Sequence, residues 1–305
     1  MSAALPSQVH VFVRDWLSAN NVVLKSRDGH VLVDSGYATH AALTLALLRT
    51  ARGLGDEPLA LLVNTHGHSD HIGGNACVRA AYGCPIAFPA AEAPVVERWD
   101  AKTLLYEYAD QEAPRFTIDI RLQAGSTHVW GDLEWRMLAA PGHDMGALVF
   151  YNPEHGILIS GDALWENGYG FVMPRAIDSD ALPATRATLD MIAGLEVRTV
   201  IPGHGEVFTD VAAALDRAYR RTAAFEADDA RVARHALKVV LTFSLLARRC
   251  LRLAELPSYV ERVGIYRDLN AAVLRMTPQA LADMLVTELV RAGAVRIEGG
   301  AVVPA

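Results

Sequence analysis

The sequence predicts an α/β fold over residues 1–210, followed by a mainly helical module over residues 211–305. Three observations carry this. Strand-length apolar runs and helix-period stretches both occur throughout the first two thirds. From about residue 210 the pattern turns almost wholly helical. The charge balance also changes sign: residues 1–230 hold 17 Lys+Arg against 29 Asp+Glu, whereas residues 231–305 hold 11 against 6, so a chain of net charge −7 ends in a stretch of +5.

Taken in order, "QVHVFVRDW" alternates and places Val9, Val11 and Val13 on one strand face. "NVVLKS" and "HVLVDSG" follow, divided by a turn around Gly29. "THAALTLALLRTARG" has helical spacing and closes at Gly53 or Gly55. "LALLVN" is a continuous apolar run suited to a strand covered on both faces. "CPIAFP", "THVWGDLEWRMLAA", "GALVFYN" and "GILISGD" read as strands, "ALPATRATLDMIAGL" as a helix, and "VRTVIPGHG" as a last strand and loop. In the C-terminal module, "TPQALADMLVTELVRAG" has Thr277 as N-cap, Pro278 at the first helical position, Leu281, Met284, Leu285 and Leu289 on one face, and Gly293 at the close. "AVRIEGGAVVP" then reads as two strands around Gly299-Gly300.

Composition narrows the class. At 51% hydrophobic the chain can bury a core. No run reaches the roughly 18 apolar residues of a membrane span, and the N-terminus lacks a signal-peptide core. Cys77, Cys84 and Cys250 match neither a disulfide framework nor a zinc thiolate motif, so buried thiols and a cytoplasmic location are expected, without a membrane partner.

The chemistry concentrates in "HGHSDH", His66 to His71. His66 and His68 sit two apart, so on extended chain they point to one side. Asp70 and His71 follow where the chain can turn into a helix, and Gly73 and Gly74 let that backbone approach its neighbours. A shuffled chain would spell H-x-H-x-D-H about once in a thousand chains. Such a set of imidazoles and carboxylates points to metal binding.

The sequence resembles the metallo-β-lactamase-fold hydrolases over roughly residues 8–210. After "HGHSDH", "APGHDMGAL" supplies His143, "ISGDALW" supplies Asp162 and "VIPGHGEVF" supplies His204, in the family's order. The resemblance implies a four-layer αββα sandwich. It implies two divalent metal ions: His66, His68 and His143 on one, Asp70, His71 and His204 on the other, and Asp162 bridging them. Zinc is the expected metal, with iron or manganese as alternatives. Asp70 is also the expected catalytic carboxylate, orienting the nucleophile or receiving a proton. The nucleophile would be a hydroxide held between the metals. Asp34, in "VLVDSG", would hydrogen-bond a ligand, with Ser35 where the family commonly has threonine. His10, His30, His40, His128, His155 and His235 match no station.

The expected reaction is hydrolysis of an ester, thioester or lactone-like bond in a small-molecule substrate. Phosphodiester or RNA cleavage and iron-dependent oxygenation of persulfides are the alternatives. Asp162 argues against a true β-lactamase. The glyoxalase II segment Cys-Gly-Arg is absent from "GDALWENGYGFVMPRAID", and Trp165 stands where lactonases place a tyrosine. Trp165 and Tyr169, with Phe171 and Met173, are candidates for an apolar substrate pocket. The C-terminal module resembles a winged helix, which in some related proteins contacts RNA. Its basic residues are scattered and only Arg248, Arg249 and Arg252 cluster, so a wall of the cleft or a homo-oligomer contact is expected rather than nucleic-acid binding.

Overall fold

The computed structural model describes residues 5–305; residues 1–4 of the expected first domain lie outside them. One sheet runs in chain order through β1 (Val9–Phe12), β2 (Asn21–Leu24), β3 (His30–Val33), β4 (Leu59–Val63), β5 (Ile86–Pro89) and β6 (Ile120–Leu122). The second contains β7 (Thr127–Trp130), β8 (Leu133–Ala139), β9 (Leu148–Asn152), β10 (Ile157–Gly161) and β11 (Thr199–Pro202), in the order β11-β10-β9-β8-β7. Val9, Val11, Val22, Val33 and Val63 of the first sheet pack against Trp135, Met137, Phe150 and Ile159 of the second. Each such fully buried side chain contributes about 1.5–3 kcal/mol.

The outer faces are covered as well. Helices α1 (Ala41–Leu48) and α3 (Asn75–Tyr82) cover the first sheet through Leu48 and Val78, which meet Leu32, Leu62 and Ile86. Between them in the chain lies the single turn α2 (Ser69–Ile72), and α4 (Ala93–Arg98) follows β5. Helices α5 (Ala181–Ala193) and α6 (Val211–Glu226) cover the second sheet, Leu189 and Ala218 meeting Leu158 and Val200. Helix, sheet, sheet and helix are the four expected layers. "LALLVN" is covered on both faces, Leu62 under the helices and Val63 between the sheets.

Two readings of β1 and β8 need correction. Val13 does not join Val9 and Val11: the strand ends at Phe12, the Arg14 N–H donates to the Asn20 side chain, and Val13 is 40% exposed. "THVWGDLEWRMLAA" is two strands, because Gly131 and Asp132 both take positive φ (63° and 59°) and form a two-residue hairpin turn.

The C-terminal part runs α7 (Asp229–Arg248), β12 (Leu251–Arg252), α8 (Leu256–Arg262), α9 (Gly264–Leu269), α10 (Pro278–Arg291), β13 (Val295–Glu298) and β14 (Ala301–Pro304). Its three strands pair in the order β12-β14-β13, beside the four helices α7 to α10, so this part is mainly helical with a terminal hairpin. Thr277 caps α10 by accepting from Ala280 N–H at 3.2 Å, and Leu281, Leu285 and Leu289 are buried. The core of this part starts within α7 and includes Ala236, Leu241, Ile265 and Val302. Helix α6 packs instead on α5. The Asp110 carboxylate ties the two cores by accepting from Arg248 (2.7 and 2.5 Å) and from the Tyr259 hydroxyl (2.8 Å). Among the described residues no helix is long and apolar enough to cross a membrane.

Candidate metal centre

Every expected donor sits just past the carboxyl end of a strand. Asp34 follows β3, His66 to His71 follow β4, His143 follows β8, Asp162 follows β10 and His204 follows β11. β3 and β4 run parallel, as do β10 and β11, and β8 is antiparallel to β9, which is antiparallel to β10. These ends therefore share one edge of the sandwich. His68 is still extended (φ −70°, ψ 149°) at the residue before α2, whose single turn carries Asp70 and His71. Glycine is required where this backbone closes up: a Cβ at Gly74 would collide with the Ser35 carbonyl, and one at Gly203 with the Asp162 carboxylate.

Two donor groups result. His66, His68 and His143 form one; Asp70, His71, Asp162 and His204 form the other, with the donor atoms of each within 4.8 Å of one another. In the first, His68 Nδ1 lies 3.1 Å from His66 Nε2 and 2.8 Å from His143 Nε2. His143 Nδ1 donates to the Phe171 carbonyl at 2.5 Å, which leaves its Nε2 bare toward the cluster. In the second, His204 Nε2 lies 2.8 Å from Asp70 Oδ2. Asp162 faces both groups: Oδ1 is 3.3 Å from His71 Nε2, and Oδ2 is 3.3 Å from His143 Nε2. A carboxylate with one oxygen on each side has the geometry of a bridge.

The electrostatics favour cations here. Burial holds His66 well below the usual histidine range and pushes His68 and His143 down to about 4, so all three are neutral at neutral pH. Burial would lower His71 too, but Asp34, Asp162 and Asp70 outweigh it and raise His71 well above that range. Burial opposes ionisation of Asp162, yet His71, His204 and His143 hold it well below the carboxylate range; Asp70 is lowered by His71 and His204 against the same penalty. Buried carboxyl groups thus gather around His71, an arrangement that favours bound cations. The buried His71 Nε2 also lacks a hydrogen-bond partner. Nitrogen and carboxylate donors with an orphaned nitrogen aimed among them fit a pair of divalent metals.

Asp34 makes contacts that reach the donor set. It accepts from Thr65 N–H and Thr65 Oγ1 (2.9 Å each) and from His71 Nδ1 (2.8 Å), fixing the His71 ring. Ser35 keeps a useful hydroxyl, which donates to Asn75 Oδ1 at 2.7 Å. His68 Nε2 faces Asp144 at 4.0 Å. Behind it Glu92 is buried beside Asp144, and burial and that neighbour push its carboxyl well above the usual range.

Over the donors lies a cleft. Trp165 and Phe171 line it, and the Trp165 indole N–H donates to Asp162 Oδ1 at 3.2 Å. Tyr169 does not: it is buried behind the cleft against α6, its hydroxyl 2.8 Å from Thr222 Oγ1. Met173 packs on the C-terminal core instead. Sequence reasoning missed Leu104, Leu105 and Ala109 on one wall and Val239, Val240 and Phe243 of α7 on the other. It also missed Trp16, 52% exposed, whose ring stacks on His204 at 5.5 Å between centroids. An exposed tryptophan just after a strand was the available signal; Phe243 reads as ordinary helix core. The C-terminal module is therefore a wall of the cleft.

Comparison with known proteins agrees. A hydroxyacylglutathione hydrolase of Bdellovibrio bacteriovorus is 30% identical over 115 residues, 37% of each chain, so this chain spans little more than a third of that relative's length. The acyl-coenzyme A thioesterase MBLAC2 of Gallus gallus is 26% identical over 209 residues, 62% of this chain and 73% of that one. A solved metallo-beta-lactamase family protein from Thermus thermophilus shares the fold at a TM-score of 0.58 and 21% identity, covering 99% of this chain and 100% of that one. The family model of the metallo-beta-lactamase superfamily matches residues 14–204. With the two-group donor set intact at the edge of an αββα sandwich, the chain belongs to the metallo-beta-lactamase superfamily.

Proposed function

We propose that this protein is a metal-dependent hydrolase that cleaves a thioester, with esters and lactone-like bonds within reach of the same chemistry. One observation carries the reading: the pocket directly over the donors is walled by Leu104, Leu105, Phe171, Val239, Val240 and Phe243, and no lysine or arginine lines it. A polynucleotide would also bring flanking phosphates, which need cations besides the metal pair, and this pocket offers none. An acyl group needs only apolar walls. Two relatives named for thioester hydrolysis support the choice. Zinc as resident metal is supported by the nitrogen and oxygen donors, and a cytoplasmic location by three free cysteines.

When bound, the metal pair supplies Lewis acidity and ionises water near neutral pH. The chain's own groups do the rest. Asp162 is steered by the Trp165 N–H, and His71 by Asp34. Asp70 lines the cleft, so its carboxylate is the group placed to take up the nucleophile's proton. The apolar walls exclude bulk water from the acyl group. Thiol release from short-chain acyl thioesters, compared with cleavage of a bis(aryl) phosphate by the same preparation, tests the reading. The expected kcat/KM ratio favours the thioester by about 1,000-fold or more; faster phosphodiester cleavage overturns it.

A further inference from the structure

The cleft over the donors continues into a longer groove. Trp165, Phe171, Val239 and Phe243 line both that pocket and a wider one beside His204. Arg221, His235 and Lys238 line both the wider pocket and a third against α6 and α7. The groove thus runs from the donors, through an aromatic neck, to a basic end.

The basic end is lined by Arg220, Arg221, Arg231, Arg234 and Lys238 against only Asp228 and Glu288. Internal pairing accounts for part of this charge. Lys238 lies 2.8 Å from Glu288, and Arg220 lies 2.7 Å from Asp216. Arg221 donates to the Tyr169 and Asn167 carbonyls. Arg234 has only a loose approach to Asp228, at 3.9 Å. Arg231 has no acidic side chain in ion-pair range among the described residues. The field is felt by His235, which burial, then Arg221, Lys238 and Arg231, hold down at about 4. Two arginines are therefore available to an anion, beyond a neck formed by Trp165, Phe171, Val239 and Phe243 and a wider stretch that also carries Glu166 and Glu206.

We propose that this basic end binds the phosphate groups of the substrate's thiol moiety, so that the enzyme hydrolyses thioesters of a phosphorylated, coenzyme A-type thiol. This rests on the thioester reading above. The acyl carbon sits at the donors, the uncharged arm passes Trp165 and Phe243, and the phosphates meet Arg231 and Arg234. Water adds its oxygen to the acyl carbon and the C–S bond breaks. The thiol takes one proton, and the acid loses the other. A polynucleotide fits less well, because the cations lie beyond the neck and none lines the pocket at the donors.

The test presents one short acyl group on coenzyme A, on glutathione and on uncharged N-acetylcysteamine. The wild type is expected to show its lowest KM with the coenzyme A thioester, and adenosine 3′,5′-bisphosphate is expected to compete. In the Arg231→Glu/Arg234→Glu variant the KM for that thioester rises at least about tenfold, the scale of losing charge-assisted phosphate contacts, while kcat and the N-acetylcysteamine KM hold. Arg231→Gln/Arg234→Gln, checked by its melting temperature, gives a smaller rise in the same direction should charge reversal disturb folding. Equal KM values on all three thiols, or a rise shared by the uncharged thioester, overturn the proposal and leave thioester hydrolysis standing. Hydrolysis of none of them overturns both. Tight single-stranded RNA binding lost in the variant, with no thiol preference, assigns the groove to nucleic acid instead.

Discussion

Replacing Asp34 by Asn tests how far the donor set depends on a residue outside it. Asp34 accepts from Thr65 N–H, Thr65 Oγ1 and His71 Nδ1 at 2.8–2.9 Å. Its φ of 56° is left-handed, which asparagine tolerates, so Asp34→Asn keeps the backbone. The new amide still accepts from Thr65 N–H. Its NH2 then faces Thr65 Oγ1 and His71 Nδ1, and two donors cannot face each other. His71 must give up its Nδ1 proton and can keep one only on Nε2, the atom that lies 3.3 Å from Asp162 among the donors. That proton has to leave before a cation enters. Losing one charge-assisted hydrogen bond costs about 1.5–3 kcal/mol, or about 10- to 100-fold in affinity, the scale known for groups that orient metal ligands. Metal content measured against graded concentrations of a competing chelator reads both sites, and a melting curve of the metal-free variant confirms its fold. Only the Asp70/His71/His204 site is expected to weaken. An unchanged affinity there, or equal weakening of the His66/His68/His143 site, refutes the reasoning.

Other predictions follow from the same geometry. Asp162→Asn is expected to weaken both sites and lower turnover more than about 100-fold, beyond the range for supporting groups; full metal content with full turnover removes it as the bridge. His71 lies well above the usual histidine range, whereas His68 and His143 lie at about 4. A protonated ligand competes with metal, so affinity at the His71 site rises with pH until its raised pKa is passed, while the three-histidine site is flat above about 4. Calorimetry in two buffers of different ionisation enthalpy should find about one proton released at pH 7 for the His71 site; equal release at both sites contradicts this. Tyr169→Phe removes a hydroxyl that meets only Thr222, so kcat/KM should stay within about threefold, and a larger loss would put Tyr169 back on the cleft. Asp110→Ala releases Arg248 and Tyr259; for about 1 kcal/mol the Tm falls by about 2–4 °C, and no shift in the melting curve means the tie is idle.

The donor set was legible because it is local and chemically rare. "HGHSDH" places four donors in six residues, and the three later stations each end a strand that apolar runs already announced. The αββα layers were legible as a whole for the same reason. Strand ends were less so. Val13 continues the alternation of Val9 and Val11, and nothing in that pattern announces that the Asn20 side chain captures the Arg14 N–H and ends the strand. The pocket was the least legible part. Tyr169 and Trp165 are close in the chain, yet Trp165 lines the cleft while the Tyr169 hydroxyl meets Thr222 of α6. Phe243 reaches the cleft from a helix far along the chain, and only tertiary packing decides which face of that helix meets the donors.

The metal content of the full chain, purified at neutral pH without added metal, tests the central claim most directly. Elemental analysis should find two transition-metal ions per chain in the wild type and one in His143→Ala, because His143 belongs to one donor group and not to the other. No bound metal, or a single ion that survives the loss of His143, would contradict a two-metal hydrolytic centre.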